Sequence, residues 1–374
     1  MKLRYGMIGG GPGSFIGAIH RKAAAMDARF DLVCGAFSSD AAKSRATGAE
    51  LGVKAYASFT EMLDAEPDLD AVSIVTPNHV HFAPAKAALE RGVHVILDKP
   101  MTFTLQEARD LKSLVDRSGL AFALTHTYAG YPMVKEMRHR VAAGEIGPVR
   151  KVFVEYPQGW LSASIEAEGQ KQAGWRTDPA RSGSGGAVGD IGTHAAHLSE
   201  YVTGARITQV CAMMNAVVPG RALDDDAAAF LRFDTGATGV LVATQIASGE
   251  QNALRIRVYG TTGGYDWCHA DPNTLIHKPV DGPMRLIHTG TGYVSEAAKA
   301  ATRLPAGHPE GFIEAFANLY AGFADAIVDH KAGRFRGMPA HDVPSVEEGL
   351  RGMAFVDAMV ASGRADTTWT DIRL

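Results

Sequence analysis

The sequence predicts an α/β chain in two parts: a doubly wound parallel sheet, then a β-rich part. Three observations carry this. A glycine-dense turn, Gly9-Gly10-Gly11-Pro12-Gly13, separates a short apolar run (Leu3 to Ile8) from a helix-like stretch (Ala18 to Met26). Continuous apolar runs then alternate with helical patterns through the first third, the signature of parallel strands joined by right-handed crossovers. From about Ala129 the strands instead alternate apolar and polar residues, as antiparallel or mixed sheets do. With 374 residues the chain exceeds the usual limit of one core, so two domains are expected, 1–127 and 128–374.

Composition narrows the class. A hydrophobic content of 46% with 21% charged residues is ordinary for a globular chain, and a net charge of −4 offers no basic field for nucleic acid. Cys34, Cys211 and Cys268 lie far apart and read as reduced thiols of a cytoplasmic protein. The N-terminus has Lys2 and Arg4, but Gly and Pro interrupt the apolar run within a few residues, which argues against a signal peptide. No apolar run approaches the ~18–20 residues of a membrane helix. A soluble cytoplasmic protein is the expectation.

The elements follow in order. Strand, glycine turn and helix form the context in which a glycine-rich turn binds a dinucleotide, as in a Rossmann domain. Glycines let the backbone approach a pyrophosphate, and the helix N-terminus offers its N–H groups to the anion. Gly9 and Gly11 match the start of G-x-G-x-x-G, position 14 is Ser, and Gly17 is the third glycine if the turn is lengthened. Gly9, Gly11, Gly13, Ser14, Phe15 and Ile16 are the candidates for cofactor contact. Phe30 to Phe37 is the second strand, Asp40 to Leu51 a helix and Ser58 to Asp64 a short helix. Where an acid would bind the adenosine ribose and favour NAD, or an Arg favour NADP, the chain has Ser38 and Ser39, with Lys43 and Arg45 just beyond. NAD is the reading adopted, and NADP stays open.

Ala71 to Thr76 is a strand buried on both faces, ended by Thr76-Pro77-Asn78, with His79 to Arg91 helical and His81 near its start. Val93 to Leu97 is another, stopping at Asp98-Lys99-Pro100. Thr104 to Ser118 is a helix, and Leu120 to Thr125 a strand that ends at His126. Ligands of parallel sheets sit beyond the carboxyl ends of the strands, where all these turns fall. A lysine between a strand end and a proline is most often a solvated loop residue. At this convergence Lys99 instead reads as an ammonium beside the nicotinamide and a substrate hydroxyl, able to hold an alkoxide.

The second part begins with a helix (Pro132 to Ala143) and a strand (Val149 to Tyr156). A long polar loop with Trp160, Lys171, Gln172, Trp175 and Arg176 follows. Strands at Ile207 to Val217, Ala227 to Phe233, Thr238 to Ile246 and Leu254 to Gly260 suggest one broad sheet with helices on one face and the other face open for self-association. Helices near Glu310 to Asp329 and Ser345 to Ser362 end the chain. Within Gly183 to His197, glycines lead into a helix that puts Asp190 and His194 on one face, with His197 at i+7. A carboxylate one turn from an imidazole orients it and holds the imidazolium, as a general base requires. A packed histidine beside a helix-capping acid is the plainer alternative. His194 and His197 lack further ligands at zinc spacing, so no metal is expected.

Together these residues resemble the Gfo/Idh/MocA family of nicotinamide-dependent oxidoreductases. The family's Glu-Lys-Pro motif appears as Asp98-Lys99-Pro100. Its Gly-Gly-Gly-x-x-x-Asp-x-Gly-x-His pattern appears as Gly183-Ser184-Gly185-Gly186-Ala187-Val188-Gly189-Asp190-Ile191-Gly192-Thr193-His194. The resemblance spans essentially the whole chain. It implies a Rossmann domain and a C-terminal α/β domain with a large, mostly antiparallel open sheet through which homotetramers form. It also implies Lys99, Asp190 and His194 as the catalytic triad. The glycine turn is longer than the usual family loop, serine replaces the acid that often follows the second strand, and His197 stands where many members carry Asp. The patterns GGGPGSFIGAIHRKAA, EYPQGW and KQAGWRTDP resemble the branch containing scyllo-inositol and levoglucosan dehydrogenases.

The activity this implies is hydride transfer from a secondary alcohol of a cyclic polyol or sugar to the nicotinamide. His194 takes the hydroxyl proton, Asp190 orients it, and Lys99 holds the alkoxide. Tyr128, Gln158, Lys171, Trp175 and Arg176 are the candidates for substrate hydroxyls, with His308 from its own or a neighbouring subunit. A redox-mechanism glycosidase and a non-catalytic NAD(P) sensor are the competing readings.

Overall fold

In the computed structural model, β1 (Leu3–Gly9) runs into the glycine turn, and α1 (Phe15–Met26) leaves it ahead of the expected Ala18. The reason is a cap: the Ser14 hydroxyl accepts from Gly17 N at 3.3 Å. β2 (Phe30–Ala36), α2 (Ala41–Leu51), β3 (Lys54–Ala55), α3 (Phe59–Ala65) and β4 (Ala71–Val75) follow. The helix expected from His79 breaks into a 3₁₀ turn (Asn78–Val80) and α4 (Phe82–Glu90). β5 (His94–Leu97), α5 (Leu105–Ser118) and β6 (Phe122–Leu124) complete the alternation. Thr104 and Glu107 form a reciprocal capping box at the start of α5. The six strands pair in parallel in the order β3-β2-β1-β4-β5-β6, and β4 is buried throughout, as its mostly apolar run predicts. The carboxyl ends of the strands thus share one edge. The structure describes residues 2–365 and 368–374.

α6 (Pro132–Ala142) and β7 (Lys151–Pro157) open the second part. The polar segment expected as a loop contains two short helices, α7 (Lys171–Arg176) and α8 (Pro179–Ser182), capped by the Gln170 and Asp178 side chains. A π-turn (Val188–Gly192) leads directly into α9 (Thr193–Thr203). β8 (Ile207–Asn215), β9 (Asp226–Phe233), β10 (Thr238–Thr244) and β11 (Arg255–Tyr259) lie where the alternation places them. β12 (Gly263–Cys268), β13 (Asp271–Pro279) and β14 (Arg285–His288) extend the sheet beyond that expectation, followed by α10 (Glu296–Ala300). With β15 (Thr370–Asp371) the order is β14-β13-β12-β11-β7-β10-β9-β8-β15. Every pair is antiparallel except β7 with β10. Along β7 the buried residues Val152, Val154 and Tyr156 alternate with half-exposed ones, and α6 and α9 pack on the sheet.

α11 (Phe312–Lys331) and α12 (Val346–Arg364) end the chain. The chain divides into two compact units, Met1–Gly130 with Phe312–Leu350, and Tyr131–Gly311 with Arg351–Leu374. The expected assignment of everything after 127 to one domain is therefore corrected for 312–350. The cause is aromatic packing: Phe316, Tyr320 and Phe323 of α11 lie in one core with Tyr5, Ile19 and Phe30. Phe30 stacks on Phe323 at 6.0 Å and meets Tyr320 edge-on at 5.6 Å. No helix among the described residues is long and apolar enough to cross a membrane.

Candidate active site

In the first unit the strand ends converge. Gly9 and Gly10 have positive φ (86° and 76°), which turns the chain out of β1. A Cβ at Gly11 would come within 2.6 Å of Phe37 O, and one at Gly17 within 2.4 Å of Gly10 Cα. Backbone therefore packs on backbone around the turn, and Arg21 Nη1 supports it by donating to Gly10 O at 2.9 Å. The first turn of α1 carries no acid, while Pro12, Gly13 and Phe15 (67% exposed) face outward beside it. This arrangement fits a dinucleotide pyrophosphate. Ile16 packs against the core. Just beyond β2, Ser38 Oγ accepts from Asp40 N at 3.1 Å, with Ser39 and Lys43 exposed nearby. The neighbouring carboxylate, Asp40, is occupied as the cap of α2, accepting from Ala42 N and Lys43 N at 2.9 and 3.1 Å. Those two bonds, that from Lys43 N foremost, hold its pKa below the usual range.

His81 sits between the turns after β4 and β5. Its Nε2 lies 2.7 Å from Thr76 O and its Nδ1 3.0 Å from Pro100 O, and burial lowers its pKa. The ring fills the space between the Thr76-Pro77-Asn78 and Asp98-Lys99-Pro100 segments, and its neutral form donates its one N–H to one of the two carbonyls, a role that no local sequence pattern signals. Asp98, next to Lys99 in the chain, is half-buried. It accepts from Thr125 Oγ1 at 2.8 Å and lies 3.9 Å from His20 Nε2. His20 is fully buried, with Nδ1 2.8 Å from Tyr320 OH and 3.1 Å from Ser73 Oγ. Burial raises the Asp98 pKa, but His20, Lys99 and His81 outweigh it and bring the group down to about 2. Lys99 is half-buried, while Asn78, His126 and Tyr128 are buried.

In the second unit the π-turn carries Asp190, whose Oδ2 accepts from Arg176 Nε at 3.2 Å and from Gln245 Nε2 at 2.9 Å. π-turns of this kind concentrate at functional sites. The Arg176 guanidinium lies 4.2 Å from the Trp175 ring and 5.8 Å from that of Trp160, and donates to Gln172 Oε1 at 2.7 Å. Gln158 Oε1 accepts from Trp160 Nε1 at 3.0 Å and from Gln245 Nε2 at 3.4 Å. Tyr156 OH and Gln158 Nε2 both donate to Asn252 Oδ1, at 2.5 and 2.7 Å. The His194 ring is buried 6.3 Å from that of Tyr156, whereas His197 stacks on Tyr201 at 5.8 Å.

Asp190, Arg176, Trp175 and Gln158 are thus brought into one network. Lys171 is exposed at the start of α7, and His308 lies on an exposed turn with Nδ1 3.1 Å from Pro305 O. Gln245 and Asn252 are absent from the residues that sequence patterns single out. A buried amide just after a strand of apolar alternation signals Gln245 in retrospect, but nothing local signals Asn252.

A parallel α/β domain that opens on a strand, a glycine turn and a helix is the architecture of a dinucleotide-binding domain. Residues 3–126 match the family model described as "Oxidoreductase family, NAD-binding Rossmann fold", and 134–266 match the "GFO/IDH/MocA C-terminal domain". The chain belongs to the Gfo/Idh/MocA oxidoreductase family, and its N-terminal domain is an NAD-binding Rossmann domain. It is 32% identical to the uncharacterized oxidoreductase YfiI of Bacillus subtilis (strain 168), over 99% of this chain and 97% of that one. An inositol dehydrogenase homolog from Azotobacter vinelandii, solved with NAD+, is 35% identical with a TM-score of 0.95, covering 99% and 97% of the two chains. A complex of such a homolog from that organism with NADH and myo-inositol is 34% identical with a TM-score of 0.91, covering 99% and 98%. Levoglucosan dehydrogenase with NADH and levoglucosan is 25% identical over the whole of both chains, with a TM-score of 0.87.

The Asp98 environment yields a pH prediction. Its folded pKa lies below the ordinary value of 3.8, so the ionised form stabilises the fold above pH about 4, and this is lost as pH falls toward about 2. Asp98→Asn is expected to cost on the order of 2 kcal/mol at neutral pH. The gap from wild type in thermal unfolding closes as pH falls below about 4; a gap constant with pH contradicts the ionised assignment.

Proposed function

We propose that this protein is an NAD-dependent dehydrogenase that oxidises a secondary hydroxyl of a cyclic polyol or sugar. The observation that carries this reading is the polar network from Asp190 through Gln245 and Gln158 to Asn252, flanked by Trp160, Trp175 and Arg176. Amide, guanidinium and carboxylate groups supply both donors and acceptors, and indole faces suit the C–H faces of a ring bearing several hydroxyls. The inositol and levoglucosan complexes of the related structures support the same substrate class.

In this mechanism His194 accepts the hydroxyl proton as the carbon loses its hydride. Asp190, fixed by Arg176 and Gln245, orients His194 and balances the imidazolium charge. The Lys99 ammonium holds the developing alkoxide. NAD supplies the hydride acceptor when bound. Tyr128, Lys171 and His308 are further substrate contacts in this proposal, with His308 available to its own or a neighbouring subunit.

Self-association is part of the proposal. Met213 and Phe230 are 50% and 58% exposed on adjacent strands of the open sheet, and Arg232 lies 4.0 Å from the Trp369 ring. A second copy of the same face is the occupant that the family resemblance implies. We assign a cytoplasmic location on the low number and wide spacing of Cys34, Cys211 and Cys268 in the sequence.

Two measurements check these readings. Reduction of NAD, followed by absorbance over a panel of inositols, levoglucosan and aldoses, is expected with one substrate group. Lys99→Ala and His194→Ala are each expected to lower kcat roughly a hundredfold or more. Demonstrable NAD binding without turnover across the panel, or wild-type turnover in either variant, contradicts the assignment. Light scattering of the purified chain is expected to give a tetramer mass, reduced by Phe230→Asp; a monomer contradicts the sheet interface.

A further inference from the structure

Asp224 and Asp225, at the end of the β8–β9 connection, make different bonds. Asp224 Oδ1 accepts from Gly186 N at 2.6 Å and Oδ2 from Val188 N at 2.8 Å. Its carbonyl accepts from Ala187 N at 2.8 Å. Three successive amides at the start of the π-turn therefore end on one residue. Asp225 uses its carboxylate to pin its own loop, accepting from Val217 N, Val218 N and Arg221 Nη1 at 2.8, 3.0 and 3.1 Å. Its carbonyl accepts from Gln245 N at 2.8 Å, and Gln245 is the amide that donates to Asp190. Asp190 is thus supported twice by this segment, through the turn that carries it and through the side chain that binds it.

The fit is close. A Cβ at Gly186 would come within 2.1 Å of Asp224 O, which accounts for a glycine there on contact grounds alone. In the π-turn Asp190 N donates to Gly186 O at 2.9 Å, so displacement of Gly186 moves the backbone of Asp190 directly.

We infer that Asp224 is a positioning residue, which sets the aim of Asp190 and His194 by holding the amides of Gly186, Ala187 and Val188. The catalytic part of this inference rests on the proposed proton-transfer role of Asp190 and His194. Its mechanical part does not. Asn at 224 keeps one acceptor oxygen but turns an NH2 toward the other amide; Ala keeps neither bond.

The test compares full-length Asp224→Asn and Asp224→Ala with wild type and Asp190→Asn. It reads kcat and KM with NAD and the best panel substrate, together with amide hydrogen exchange of residues 186–190 in the ligand-free protein. The expected result is a kcat loss of roughly tenfold for Asn and more for Ala, with KM for NAD within about twofold of wild type. Exchange of 186–190 rises in the same order. If Ala does not fold, the Asn variant decides. Unchanged exchange overturns the inference whatever the turnover. Faster exchange with wild-type kcat overturns its catalytic part when Asp190→Asn is itself impaired. If Asp190→Asn retains wild-type kcat, the proton-transfer reading fails instead, and exchange alone decides whether Asp224 holds the turn.

Discussion

A half-buried carboxylate kept bonded is the constraint around which the polar part of the second unit is arranged. Asp190 Oδ2 takes two donors, a guanidinium and an amide, and each donor is itself fixed. Arg176 is held by Gln172 and by the rings of Trp175 and Trp160, and Gln245 by its backbone bond to Asp225. A buried carboxylate without such partners loses several kcal/mol of hydration. With them, the same low-dielectric setting strengthens each charge-assisted bond. Order therefore spreads outward from one oxygen to α7, β10 and the loop before β9.

The first unit solves a different problem by different means. Its glycine turn works through the removal of side chains, so that backbone approaches backbone at Gly11 and Gly17. Buried polar rings lie under its strand ends: His81 sits between Thr76 O and Pro100 O, and His20, bonded to Tyr320 OH through Nδ1, has Nε2 3.9 Å from Asp98. Lys99 consequently emerges from a segment fixed on both flanks. A flexible ammonium gains much of its value to a reaction from such anchoring, because less freedom is lost when it binds.

Much of this is legible in the sequence where one local signal suffices. Largely apolar runs mark β4 and β5, and alternation marks β8 to β11. The Asp98-Lys99-Pro100 and Gly183-to-His194 motifs are readable as patterns, and the site they make is part of the proposal. What escapes depends on distant partners. β12 to β14 carry glycine, polar residues and proline that obscure alternation until the strands pair. The apolar face of α11 shows that the helix packs, but not that Phe316, Tyr320 and Phe323 fill the first core. The helical spacing of Asp190 and His194 is readable, but not the π-turn on which Asp190 sits. Asn252 and Asp224 act through contacts far away in sequence, which no local pattern encodes.

The most direct measurement is a crystal structure of the protein with NADH and myo-inositol. The expected result is the dinucleotide along the carboxyl edge of the parallel sheet, with its pyrophosphate at the start of α1. A ring hydroxyl is expected within hydrogen-bond reach of both His194 and Lys99, with neighbouring hydroxyls on the Asp190–Gln158 network. A polyol ordered elsewhere, with these side chains turned away from it, would contradict the proposed chemistry.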